Sequence, residues 1–166
     1  MNSNKIKVGD FVVYSIRGLC LVKEIITRTF DRESHEYFVL APVFDEQSTY
    51  FIPTDYDSER VHIKPALTKS EAKKLMQYAA EAEPLEWISS PNERKQTFDM
   101  VYKAGKREEK IRLIKALKQH ELQQKEQGKG LYATDAKILH GCEMLIANEL
   151  AYVLGKSPEE ILETIE

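Results

Sequence analysis

HIKPALTKSEAKKLMQYAA, residues 62–80, is where the pattern of the chain changes. Upstream, apolar residues come in short β-branched and aromatic runs cut by turn residues. Within the stretch, Ala72, Leu75, Met76, Ala79 and Ala80 recur at the spacing of one helix face. TKSE (68–71) supplies the start signal, a threonine able to cap free backbone N–H groups with a glutamate three residues on. The change falls near Lys64 and Pro65 and divides the chain into residues 1–65 and 66–166.

Residues 5–64 read as β structure. FVVY (11–14) is a first strand, and Gly18 marks a turn or tight bend. LCLVKEIITRTF (19–30) is long enough for a bent strand, DRES (31–34) is a turn, and HEYFVLAPV (35–43) is a third strand. DEQS (45–48) turns the chain into TYFIP (49–53). Short strands at this spacing, with no helix between them, predict a small antiparallel barrel or a curled sheet.

Downstream, SPNE (90–93) opens a second helix with proline at its first position. That helix carries Phe98, Val101 and Tyr102 and stops near Gly105. A third spans about residues 107–127, with Ile111, Ile114, Leu117 and Leu122 inward, and ends at Gly128 and Gly130. A fourth spans 135–154, its stripe being Ile138, Leu139, Cys142, Leu145, Ile146, Leu150 and Val153. SPEE (157–160) caps a short last one. Strands followed by helices give an α+β protein: an antiparallel β module, then an all-helical domain.

The 166 residues suffice for a real core, and 42% of them are hydrophobic, as in a folded globular chain. The formal net charge is only −3, but its distribution is uneven. From Arg94 to Lys118 the chain carries about six net positive charges. After Leu131 acids dominate, with Asp135, Glu143, Glu149, Glu159, Glu160, Glu163 and Glu166 facing Lys137 and Lys156. Basic residues 103, 106, 107, 110 and 118 recur at helix-face spacing and are expected to present one positive surface. A solvated helix face with no partner is the alternative.

The lone tryptophan, Trp87, stands in EPLEWISSPNERK (83–95), a polar junction at the edge of this basic segment. An aromatic group there can stack on a base or enter a groove, or it can act as a hinge that clamps the first helix onto the second. The residues alone leave both open.

No nucleophile elbow, P-loop or dinucleotide fingerprint occurs, and His35, His62, His120 and His140 are scattered. His140 and Cys142 lie two apart on a helix, so they diverge, and no second pair completes a metal site. The chain is therefore expected to be no enzyme, with no cofactor and no metal. Cys20 and Cys142, each in apolar sequence, are expected as buried free thiols in a reducing cytoplasm. The N-terminus lacks the apolar run of a signal peptide, and no segment reaches membrane-span length.

KVGDFVVYSIRGLCLVKEI, followed by EYFVL and YFIP, resembles the RNA-polymerase-interacting module of the CarD/CdnL family, found also in transcription-repair coupling factors. Lys7, Gly9, Asp10, Val12, Val13, Tyr14, Gly18 and Pro53 carry the match. Trp87 before a basic helix start, EQGKGL (126–131) and LIANELAYVLG (145–155) resemble the second half of stand-alone members.

The resemblance implies a bacterial transcription regulator with a Tudor-like β module on the RNA polymerase β subunit. Its helical domain would hold promoter DNA at the upstream edge of the bubble and stabilise the open complex. It implies DNA contacts by Trp87, Arg94 and Lys95, and more loosely by Lys125, Lys129 and Lys137. It implies polymerase contacts by Arg28 and by Phe51, where an aromatic stands at a position that is often basic. The expected protein is a monomer, cytoplasmic and at the nucleoid through polymerase, without membrane contact. The competing reading is an adaptor that binds polymerase and never touches DNA.

Overall fold

The computed structural model describes residues 6–166. Residues 1–5, which open the stretch judged to lack a signal-peptide core, lie outside the described residues. The chain divides into two compact units between Ala66 and Leu67.

The first unit is a five-stranded antiparallel sheet in the order β4-β3-β2-β1-β5. Its strands are β1 (Phe11–Tyr14), β2 (Gly18–Phe30), β3 (Glu33–Pro42), β4 (Tyr50–Pro53) and β5 (Ile63–Pro65). A barrel was one expectation from the sequence, but the sheet is open, with β4 and β5 as its two edges. Both outer strands are short and end in proline, which has no N–H to donate to a closing ladder. β5 is the strand that the sequence reading missed. Three residues ending in proline carry no strand signal, and pairing with β1 creates it, Tyr14 opposite Ile63 and Val12 opposite Pro65.

The bend expected in the second strand is a β-bulge, where register shifts between Val22 and Glu24. The turn at DRES is tighter than predicted. Asp31 and Arg32 alone make it, both at positive φ (48° and 70°), the twist that two-residue hairpins need, and Glu33 already pairs with Phe30. Gly18 opens β2 at φ 85° and ψ −155°, a conformation that essentially only glycine adopts. Register puts Val12, Cys20, Val22, Phe38, Leu40 and Ile52 on one face as a buried core. Burial of each larger member contributes about 1.5–3 kcal/mol.

The second unit is all helical: α1 (Lys69–Glu81), α2 (Pro91–Ala104), α3 (Arg107–Glu126), α4 (Ala133–Leu154) and α5 (Pro158–Ile165). The helix starts follow the capping signals. Thr68 and Ser90 oxygens accept from the Glu71 and Glu93 N–H groups, and Ser157 with Glu160 closes a reciprocal box. α4 packs against each of the other four helices. Its Gly141 sits where a Cβ would lie 2.5 Å from the Tyr102 ring, so glycine lets α2 close on it.

Phe98, Ile111, Ile114, Leu117, Ile138, Leu139, Cys142, Ile146 and Leu150 join Ala72, Leu75 and Ala79 in one core. Two residues assigned inward from the sequence are exposed, Leu122 (63%) and Ala80. Leu122 lies in the last turns of α3, beyond the buried run that ends at Leu117. Both cysteines are free and buried, as expected, and burial pushes the Cys20 thiol up to about 11 and the Cys142 thiol up to about 12. His140 is exposed while Cys142 is buried, the divergence their spacing predicts.

Candidate functional site

The connection between α1 and α2, residues 82–90, has no regular structure of its own, and α3 holds it in place. Leu85 N–H donates to the Arg112 carbonyl (3.1 Å), and Arg112 Nε donates to the Glu83 carbonyl (2.9 Å). Lys115 Nζ donates to the Ala82 carbonyl (2.9 Å). Two residues of the basic segment thus tie down backbone and bring Trp87 onto α3.

There the indole stacks on the His120 imidazole, ring centroids 3.8 Å apart and 18° from parallel. Phe98 meets it edge-on at 5.8 Å, and the Arg94 guanidinium lies over it at 4.8 Å. Trp87 is half-buried and packs against the helical core. The hinge suggested by sequence linked the first helix to the second; the rings that Trp87 meets belong to α2 and α3. Gln124, one turn beyond His120, places its amide Nε2 3.0 Å from His120 Nε2. The contact suits a neutral imidazole whose Nε2 accepts from the amide NH₂. Burial holds the imidazole below its ordinary value, Arg94 adds to that, and Asp135 opposes it.

Arg94 is 4% exposed. Its Nη2 lies 2.9 Å from Asp135 Oδ2 on α4, and its Nε donates to the same carboxylate at 3.1 Å. Nη1 donates to the Ile88 and Ser89 carbonyls, the two residues after Trp87. The guanidinium is thus a brace that fixes the backbone beside the tryptophan.

The positive face expected along the basic segment does not form. Lys110 is buried, which pushes its ammonium below the usual lysine value. Arg107 forms a two-pronged pair with the buried Glu149 of α4 (2.7 Å on each prong), whose Oε2 also accepts the Leu67 N–H. Lys103 pairs with Asp99 and Lys118 with Glu121 and Glu166. Helical spacing predicts direction, but it does not predict which acids meet these cations: Asp99 and Glu121 on the same helices, Glu149 on α4 and Glu166 at the C-terminus.

The residues carried over as DNA contacts therefore separate. Trp87 is half-buried and Arg94 buried, whereas Lys95, Lys125, Lys129 and Lys137 are exposed. Lys129 is brought back toward α3 by its N–H, which donates to the Gln124 carbonyl at 2.8 Å. Lys137 is two residues beyond Asp135, about 200° around α4, and lies on a different side of that helix.

A cleft of about 220 Å³ opens beside Trp87, with His120, Gln124, Gly130 and Tyr132 among its walls. Tyr132 is 63% exposed, with Arg94 5.4 Å from its ring centre. Sequence reasoning singled out none of His120, Gln124, Tyr132 and Asp135 for this place. The i, i+4 spacing of His120 and Gln124 was the one available signal; the rest depends on how the helices pack.

In the β unit, Arg28 stands opposite His35 and Phe51 opposite Val39. Residues 35 and 39 share one side of β3, so Arg28 and Phe51 lie on the same sheet face, away from the core. Four residues of β3 separate their levels, about 13 Å. Phe51 is 51% exposed and sits on the edge strand β4. An exposed phenylalanine with an arginine on the same face suits a protein partner.

Among the described residues no cluster of His, Cys, Asp or Glu is suited to a metal, and no helix is long and apolar enough to cross a membrane. None of the curated proteins compared with the chain matches it. A family model does match residues 6–63, the CarD-like/TRCF RID domain. The matched stretch runs from just before β1 to the start of β5, nearly the whole described part of the first unit. The glycine-opened β2 and the YFIP edge strand are both inside it. The N-terminal unit of this chain is thus similar to the CarD-like/TRCF RID domain, which points to a transcription-related protein that interacts with RNA polymerase.

Proposed function

We propose that the chain is a bacterial transcription regulator that binds the RNA polymerase β subunit through its RID domain and promoter DNA through its helical unit. It acts at the upstream edge of the bubble and stabilises the open complex. The match over residues 6–63 carries the polymerase half of this reading. The DNA half is supported by Trp87, which Arg94 and His120 hold beside an open cleft, and by the exposed Lys95, Lys125 and Lys129.

The chemistry requires only differential binding. Lysines attract phosphates without reading sequence. An aromatic group that contacts unwound DNA better than closed duplex shifts the closed-to-open equilibrium by that difference in affinity, tenfold for about 1.4 kcal/mol. Arg94 contributes by position: it is buried and paired with Asp135, so it orients the tryptophan and leaves the phosphates to the lysines. The protein works as a cytoplasmic monomer at the nucleoid, without a cofactor and without catalysing a reaction.

The test is open-complex lifetime on one promoter with the matching polymerase. Wild type is expected to lengthen it. Trp87→Ala is expected to abolish the gain while still binding polymerase, and an unchanged gain would sink the DNA half.

One observation favours the adaptor reading, in which DNA is never touched: much of the basic segment is paired within the protein. Under that reading, replacing Lys95, Lys125 and Lys129 together by alanine leaves the DNA footprint of the polymerase complex unchanged.

A further inference from the structure

The cleft beside Trp87 has a chemical character of its own. Arg94 offers an anion little. Its side chain is buried, its Nε and Nη2 meet Asp135 and its Nη1 meets two carbonyls, so its charge is answered within the protein. What the cleft does offer is flat aromatic surface and neutral polar groups. Trp87, His120 and Tyr132 supply rings, and Tyr132 is well exposed. Ser89 supplies a hydroxyl, and Gln124 keeps an amide carbonyl beyond the NH₂ it gives to His120. A small planar ligand with donors and acceptors around its rim matches this set.

Size and surroundings narrow the ligand further. At about 220 Å³ the cleft is below the roughly 300–1,000 Å³ of drug-sized sites, which suits one ring system. Lys125 adjoins Gln124 and Lys129 adjoins Gly130, so an exposed ammonium follows the wall residue on one side and precedes it on the other. The Lys129 N–H bond to the Gln124 carbonyl holds these two stretches together. Aromatic rings with exposed lysines one residue away along the chain are the combination that single-strand binders use for a base and its flanking phosphates.

We propose that this cleft receives one unpaired nucleobase of an opened DNA strand. The base stacks on Tyr132 and meets Gln124 and Ser89 with its edge, while Lys125 and Lys129 hold the phosphates on either side. The proposal rests on the DNA-binding reading above and deepens it. Trp87 and His120 form the back wall, which assigns His120, Gln124 and Tyr132 a role in recognition.

Trp87 is the single tryptophan of the chain, so its fluorescence reports on the cleft directly. The full-length protein is titrated with a forked duplex carrying one unpaired base, the same fork with an abasic site, and the fully paired duplex. The base-containing fork is expected to quench the fluorescence and to bind about tenfold more tightly than the abasic fork. Tyr132→Ala and Gln124→Ala are each expected to bring its affinity toward the abasic level, with the circular dichroism spectrum unchanged.

If both forks bind alike but better than duplex, DNA binding stands and the base site is overturned. If no DNA binds at all, both readings fail. Equal quenching by free thymidine monophosphate at the same concentration overturns the strand as the source. Loss of polymerase binding in Tyr132→Ala, with fork binding intact, would reassign the cleft to a protein side chain and overturn the proposal as well.

Discussion

Arg17, Arg28, Arg32 and Arg60 of the β unit are all exposed, whereas Arg94 of the helical unit is buried and Arg107 nearly so. The contrast extends to every buried charged residue among those described: Arg94, Lys110, Asp135 and Glu149 all belong to the helices. The β unit keeps its charges in water and builds an apolar core of Val12, Cys20, Val22, Phe38, Leu40 and Ile52. The helical unit places two arginine–carboxylate pairs between helices, where they fix the Trp87 strap and the entry to α1. A count of positive residues in the sequence is therefore a poor guide to positive surface. In the first unit an arginine is available to a partner, and in the second it belongs to the architecture.

Removing one partner of an inner pair tests this contrast most severely. Asp135→Ala leaves the Arg94 guanidinium buried without its carboxylate and is expected to cost about 3–5 kcal/mol, measured by urea denaturation of the full chain. Arg28→Ala, at an exposed position of the hairpin, is expected to stay within about 0.5 kcal/mol. Equal losses would mean that burial does not separate the two kinds of arginine.

A gentler probe is pH. The His120 imidazole sits below its ordinary value of 6.5, chiefly through burial, with Arg94 adding and Asp135 opposing. Below the unfolded value the unfolded chain takes up the proton first. Stability is thus fully present above about pH 6.5 and falls as pH drops through the lower folded value. The melting temperature of wild type is expected to fall relative to that of His120→Phe, which keeps a stacked ring and does not titrate. Parallel melting curves from pH 7.5 to 5 would show that the Trp87–His120 stack tolerates a charged ring.

The smallest effect is expected at the exposed Lys103–Asp99 pair (2.8 Å) on α2. Lys103→Ala is expected to cost about 0.3–0.5 kcal/mol and to lose even that in high salt. A cost similar to that of Asp135→Ala would erase the distinction between inner and outer charges.

Much of the fold was legible because its signals are local. A threonine or serine with a glutamate three residues on announced three of the helix starts, and a change of period placed the boundary between strands and helices. The tight hairpin at Asp31 and Arg32 was only partly visible, since neither residue is the glycine that usually marks positive φ. The place of the candidate site was legible at Trp87 and illegible at Arg94. A basic residue two turns after a tryptophan looks the same whether it faces water or an aspartate 41 residues away.

The sequence by itself determined the order of strands and helices, their main caps and the buried free thiols. Each follows from the periodicity or chemistry of a few neighbouring residues. Only the tertiary structure decided that the sheet stays open, that Ile63–Pro65 is a strand, and that Arg94 and Arg107 turn inward. It also decided that Trp87 rests on His120 beside a cleft. These outcomes depend on partners distant along the chain. α4 supplies the carboxylates of both inner pairs, and β1 supplies the hydrogen bonds that make β5 a strand.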